Sequence, residues 1–167
     1  KKKNNSKFAL ATSSGTSALE IILRSFNVKN KEVLTNSNTF IATGHAIKNA
    51  NAKIVPVDLE KDYYMMCPID LKKKINKNTG AVVIVHIGGI ISPHILKIKK
   101  ICKKFGVPLI EDAAQAHGSK FKGIPAGNLG DAGAISFFTT KVMTTGEGGM
   151  VVTNNKKIYQ NVYSLRQ

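Results

Sequence analysis

The sequence predicts an α/β chain, three layers deep, with helices on both faces of a seven-stranded and mostly parallel sheet. Three observations carry this expectation. Short β-rich runs alternate with helical stretches along the whole length, which is the signature of a layered α/β fold. A chain of 167 residues with a 43% hydrophobic share holds enough apolar surface for one core and is too short for two ordinary domains. The last two strands are joined by a glycine-rich connection too short for a crossover helix, so one of them is expected to run antiparallel.

Taken in order, the first strand is Phe8 to Thr12, and SSGTSALEIIL then opens an amphipathic helix over Thr16 to Phe26. The second strand, Glu32 to Thr35, leads into a helix over Ala42 to Asn49, and the third, Lys53 to Val57, into one over Ile69 to Ile75. The fourth strand spans Ala81 to His86. The helix Pro93 to Phe105 follows, where Ile95, Ile98, Ile101, Cys102 and Phe105 recur at helical spacing and lysines take the other face. The fifth strand is the apolar run Val107 to Ile110; the sixth and seventh are Ala134 to Phe137 and Met150 to Thr153, and Lys156 to Leu165 closes the pattern as a helix. The polar start KKKNNSK is expected to fray.

The net charge is +15, and a basic surface is the footprint of nucleic-acid binding. The lysines are spread, however, collecting at Lys1 to Lys3, Lys72 to Lys74 and on ILKIKKICKKF, so a solvated helix surface is favoured over a polyanion site. No long uncharged apolar run suggests a membrane span, and no secretory leader is read. Cys67 and Cys102 lie far apart, outside any CxxC or Cys/His cluster, which indicates neither a metal site nor a disulfide framework and fits a reducing cytoplasm. His45, His86, His94 and His117 show no metal spacing; His117 lies near the candidate site, either to contact substrate or to make a structural hydrogen bond.

Four segments carry candidate chemistry. In SSGTSALEIIL, Ser13 to Ser17 bridge a strand and a helix, where free N–H groups and hydroxyls suit a phosphate, although an ordinary helix cap uses the same residues. In NTFIATGHAI, Phe40 stands after the second strand and offers a flat face to an aromatic ligand, with core packing as the alternative. In EDAAQAHG, Glu111 and Asp112 follow the fifth strand, where ligands of parallel sheets gather; both cannot face an apolar interior unpartnered, so one should meet a cation or a protonated ring. In AISFFTTKVMTTGEGGMVVT, Lys141 stands five residues after Ser136 and ahead of Gly146, Gly148 and Gly149. A partly desolvated amine there can bond a carbonyl cofactor. The combination of an amine, a phosphate-binding serine and an acid for a pyridine nitrogen points to pyridoxal phosphate chemistry. GNLGDAG and GEGG do not supply GxGxxG between a first strand and a helix, so a dinucleotide loop is discounted.

In order and spacing, ATSSGTSAL, NTFIATGHAI, EDAAQAHG, SFFTTK and TGEGGMVVTN resemble the DegT/DnrJ/EryC1/StrS sugar aminotransferases over nearly the whole chain. TGEGGMVVTN is similar to the perosamine-type synthases among them. The resemblance implies a fold type I, aspartate aminotransferase-like large domain that uses pyridoxal 5'-phosphate. It implies that Lys141 is the catalytic lysine, that Asp112 holds the pyridine nitrogen, that Gln115 contacts the ring hydroxyl and that Phe40 stacks on the ring. Thr16, Ser17 and Ser136 would bind the phosphate. The implied reaction takes an amino group from glutamate and gives it to a nucleotide-linked keto sugar, in a homodimer. Relatives with histidine in place of the lysine act as dehydratases, and Lys141 argues against that branch. Phe138, Thr139 and Val142 depart from the His or Tyr, Pro and Asn common around the lysine, and Gly88 replaces a common Tyr. Family members are longer, so residues 1–167 are expected to be a cofactor-binding large domain without its N-terminal start or C-terminal small domain. Competing expectations are a non-sugar acceptor, such as an inositol or an aminohydroxybenzoate precursor, a noncatalytic sensor that keeps the cofactor, and a basic binding module.

Overall fold

The computed structural model describes residues 5–166; Lys1 to Lys3 and Asn4, which open the polar start, and Gln167 lie outside the described residues. Among the described residues, seven strands form one sheet: β1 (Phe8–Thr12), β2 (Glu32–Asn36), β3 (Lys53–Val57), β4 (Thr79–Val85), β5 (Leu109–Asp112), β8 (Ala132–Ser136) and β9 (Gly149–Thr153). Two short strands, β6 (Lys120–Phe121) and β7 (Ile124–Pro125), make a separate hairpin that the sequence reading did not anticipate. The helices are α1 (Gly15–Ser25), α2 (Ile41–Asn49), α3 (Pro68–Lys74), α4 (Ile95–Phe105) and α5 (Lys156–Arg166).

The sheet order is β1-β9-β8-β5-β4-β2-β3, and β9 runs antiparallel to both of its neighbours while the other pairs are parallel. The antiparallel strand is the one expected from the glycine-rich connection. β4 sits inside the sheet with every residue of TGAVVIV buried, as a strand covered on both faces requires. Its side chains alternate between two apolar layers. Ala81, Val83 and Val85 join Leu19, Ile22, Ile47 and Val162 of α1, α2 and α5, whereas Val82 and Ile84 join Leu71, Ile95 and Ile98 of α3 and α4.

Local chemistry explains the element ends. The Ser14 hydroxyl accepts from the Ser17 N–H at 3.0 Å and starts α1, Pro68 occupies the first turn of α3, and Gly106, at φ 65, ends α4 in the left-handed region. Chain order reverses between β2 and β4, which lie side by side with α1 and α2 covering one face and α3 and α4 the other. Such a reversal leaves a crevice beyond the carboxyl ends of the strands. β5 begins and ends two residues later than the sequence suggests, so Asp112 is the last residue of the strand rather than a loop residue beyond it.

Candidate functional site

A cavity of about 460 Å³ opens at the carboxyl ends of β2, β4, β5 and β8, within the usual size of a small-ligand site. Thr16, Phe40, Asp112, Gln115, Ser136 and Lys141 all line it. They arrive from four separate stretches of chain. Ser17 does not: it faces a neighbouring groove beside Thr12 and Arg166, its hydroxyl lies 3.0 Å from those of Ser13 and Ser14, and its N–H is taken by Ser14.

The start of α1 forms one wall. Its first N–H groups, at Gly15 and Thr16, have no partners within the helix, and the Thr16 and Ser136 side chains line the cavity beside them. The approach of β8 to this turn depends on glycine, because a Cβ on Gly15 would sit 2.7 Å from Cβ of Ser136. A Cβ on Gly149 would collide with the backbone oxygen of Ser14, so β9 also packs directly under the turn. The result is a concave, donor-rich pocket that suits a phosphate.

The acidic pair separates by strand alternation. Glu111 points into the interior, fully buried, where its carboxylate accepts from the N–H groups of Gly127, Leu129 and Gly130 at 2.8, 2.6 and 2.6 Å and lies 2.8 Å from Nε2 of the buried His86. Asp112 points to the cavity. Its Oδ1 accepts from the Ala114 N–H at 3.1 Å and its Oδ2 from the Thr43 hydroxyl at 2.8 Å. The buried acid of the pair, Glu111, is thus satisfied by backbone donors and an imidazole, while Asp112 is the acid left facing the cavity.

Gln115 is oriented by the backbone. Its Oε1 accepts from the Gly88 N–H at 2.8 Å, so its Nε2 group remains to donate toward the cavity. Lys141 stands in the turn after β8, half-buried, with its N–H donating to the Phe138 carbonyl. The segment that carries it is closed on itself: the Thr145 N–H and the Thr144 hydroxyl both donate to the Phe137 carbonyl, and the Phe137 N–H donates to the Gly148 carbonyl. Phe40 caps α2 and leaves 63% of its surface exposed, so it is not a core residue. Ile41, Phe138, Met143 and Val142, the last 87% exposed, continue this apolar exposure in the same segments.

His117 does not line the cavity. Its ring packs against Phe137 at 5.8 Å, and burial pushes its pKa below the ordinary histidine value, opposed by the Ser136 backbone and reinforced by the charge of Lys141. Burial drives the Cys102 thiol up to about 12. Among the described residues, no group of His, Cys, Asp and Glu could hold a metal ion, and no helix is long and apolar enough to cross a membrane.

Sequence reasoning missed Thr43, His86 and Glu147 as cavity residues. Thr43 carried a usable signal, since it stands one helical turn after Phe40 and so shares its face. Glu147 carried none, because its place depends on how the segment after β8 folds back.

The residues present fit pyridoxal phosphate. A donor-rich cradle that a Cβ would fill, an exposed flat ring, an acid aimed into the cavity, a free amide donor and an amine surround one space of suitable size.

Comparison with known proteins gives the family and the fold. A family model described as the DegT/DnrJ/EryC1/StrS aminotransferase family matches residues 1–167. GDP-perosamine synthase of Escherichia coli O157:H7 is 39% identical over 158 residues, 93% of this chain and 43% of that protein. A putative L-glutamine:3-amino-2,3-dideoxy-scyllo-inosose aminotransferase of Micromonospora echinospora is 34% identical over 98% of this chain and 39% of its own length. The X-ray structure of an aminotransferase from Psychrobacter cryohalolentis superposes with a TM-score of 0.94 at 33% identity, covering 98% of this chain and 42% of that one. The chain thus spans about two fifths of the length of these proteins.

Proposed function

The chain belongs to the DegT/DnrJ/EryC1/StrS aminotransferase family, and from that premise we propose that it forms the cofactor-binding large domain of a pyridoxal-phosphate-dependent aminotransferase. The reaction moves an amino group from glutamate to a nucleotide-linked keto sugar. The observation that carries this reading is the convergence of Lys141, Asp112, Gln115 and Ser136 with Phe40 on one cavity.

Bound there, pyridoxal phosphate supplies an electron sink that lets an amino group be carried between two substrates. The chain's own residues hold and orient it. Thr16, Ser136 and the first N–H groups of α1 receive the phosphate, with Ser17 supporting the turn through its bonds to Ser13 and Ser14. Asp112 would face the pyridine nitrogen, Gln115 would donate from Nε2 to the ring hydroxyl, and Phe40 would cover one face. Lys141, half-buried at the cavity wall, would hold the cofactor through its amine and would move a proton at the substrate carbon.

The exposed apolar segments around Phe40, Phe138 and Val142 support a homodimer in which a second copy closes this side of the cavity. A cytoplasmic enzyme acting before polysaccharide assembly fits this substrate class. A second acceptor reading, a keto-inositol, is favoured by the 34% identity to the inosose aminotransferase.

The test is the visible absorption spectrum of the full natural chain with added pyridoxal phosphate, comparing wild type with Lys141→Ala before and after glutamate. The expected band is absent in the variant and shifts with glutamate only in the wild type. Absence of any cofactor band in the wild type would sink the proposal. Turnover of a nucleotide-linked keto sugar against a keto-inositol then separates the two acceptors.

A further inference from the structure

Asp112 is held from outside its own strand. The hydroxyl that donates to its Oδ2 belongs to Thr43, which is 69 residues earlier in the chain and 1% exposed. Thr43 Oγ1 in turn lies 2.6 Å from Thr39 Oγ1.

Valence assigns the protons. An ionised carboxylate can only accept, and a hydroxyl has one proton to give. With the Thr43 proton on Asp112, the short contact between the two threonines must be made by the proton of Thr39. Thr39 has one other acceptor, the Phe40 carbonyl, but at 3.3 Å that contact is much longer than the 2.6 Å to Thr43. A directed chain therefore runs from Thr39 through Thr43 to Asp112. It threads the first turn of α2, whose cap residue is Phe40. The ring at the cavity mouth and the acid at its floor are tied to the same helical turn.

Resting on the pyridoxal phosphate reading, we propose that Thr43 is a positioning residue: its hydroxyl fixes the rotamer of Asp112 and so aims that carboxylate at the cofactor nitrogen. Because Thr43 is buried, no water can take up its place beside Asp112. A valine there, of nearly the same shape, would leave an apolar methyl against the carboxylate in place of the donor that holds it.

The experiment uses the full natural chain, with Thr43→Val, Thr43→Ser and Asp112→Ala, and two readouts. The first is the dissociation constant of pyridoxal phosphate by equilibrium dialysis. Thr43→Val is expected to weaken binding about ten- to hundredfold, the worth of a hydrogen bond to a charged group, whereas Thr43→Ser stays within about threefold. The second needs no cofactor: urea unfolding of the apo protein in a double-mutant cycle of Thr43→Val with Asp112→Ala. It should give a coupling of about tenfold in the unfolding equilibrium constant. If the wild type binds cofactor and Thr43→Val binds equally well, or if Ser and Val lose equally, the hydroxyl has no positioning role and the inference falls alone. A wild type that binds no pyridoxal phosphate overturns the functional reading and this role with it.

Discussion

His86 Nε2 and Glu111 Oε2 lie 2.8 Å apart with both side chains fully withdrawn from solvent. Three backbone N–H groups of the 127–130 turn complete the ring of donors around that carboxylate. The pair thus fastens the 127–130 turn to the ends of β4 and β5, beneath the strand that presents Asp112.

Glu111→Gln should cost at least about 3 kcal/mol, because an amide N–H₂ would be turned against backbone donors with no water to relieve it. Urea unfolding measures this. A loss below about 1 kcal/mol would mean that the turn readily finds other partners.

Gly15→Ala and Gly149→Ala should separate binding from folding. At Gly15 the new methyl meets Cβ of Ser136 at 2.7 Å, whereas at Gly149 it meets the Ser14 and Gly15 backbone more closely still. Gly15→Ala is expected to lose about 1–3 kcal/mol of stability and at least about tenfold in affinity for inorganic phosphate and pyridoxal phosphate. Gly149→Ala is expected to unfold the protein at lower temperature than Gly15→Ala does. Equal melting temperatures would count against the close packing of β9 under α1.

His117 should make the fold sensitive to mild acid. Its pKa is lowered in the folded state, chiefly by burial, so the unfolded chain binds more protons as pH falls below 6.5. The penalty is absent above the unfolded value and grows as pH drops toward the folded one. Stability measured from pH 7.5 down to pH 5 should decline, and His117→Gln should flatten that decline. An unchanged slope in the variant would exclude His117 as its source.

Asp70 and Lys74 form an exposed-side pair at 2.7 Å, one helical turn apart on α3. Burial alone would raise the Asp70 pKa, but the Lys74 hydrogen bond, the Asp58 N–H and lysine charges together lower it; the Lys74 pKa is raised, first by its hydrogen bond to Asp70. The depressed acid contributes stability above 3.8 that is lost as pH falls through its folded value. The raised amine contributes below 10.5 and loses its share as pH climbs through its folded value. Asp70→Asn should remove less than about 1 kcal/mol near neutrality, and less again in high salt. A salt-independent effect would point to the Asp58 N–H bond instead.

The order of strands and helices was written locally. The apolar run of β4, the helical spacing of Ile95, Ile98 and Cys102, and the caps at Ser14 and Gly106 each act over a few residues, so periodicity and turn chemistry are enough to locate them. Strand ends slid by up to two residues where pairing rather than propensity sets the boundary, as in β5, whose register with β4 extends it to Asp112. The hairpin of β6 and β7 escaped because two-residue strands carry no period.

By itself the sequence determined the layered α/β class and the antiparallel partner near its end, and its motifs, with the resemblance they carry, named seven site residues of which six line one cavity, because side-chain chemistry and short-range spacing are local properties. Only the tertiary structure decided that Glu111 turns inward while Asp112 faces the cavity, that Ser17 faces away, and that Thr43 and His86 stand beside the acids. Those outcomes depend on contacts across 69 and 25 residues, made when the parallel strands align. Strand alternation then assigns each neighbour to one face or the other, and a donor reaches a buried carboxylate only once the sheet has brought their ends together.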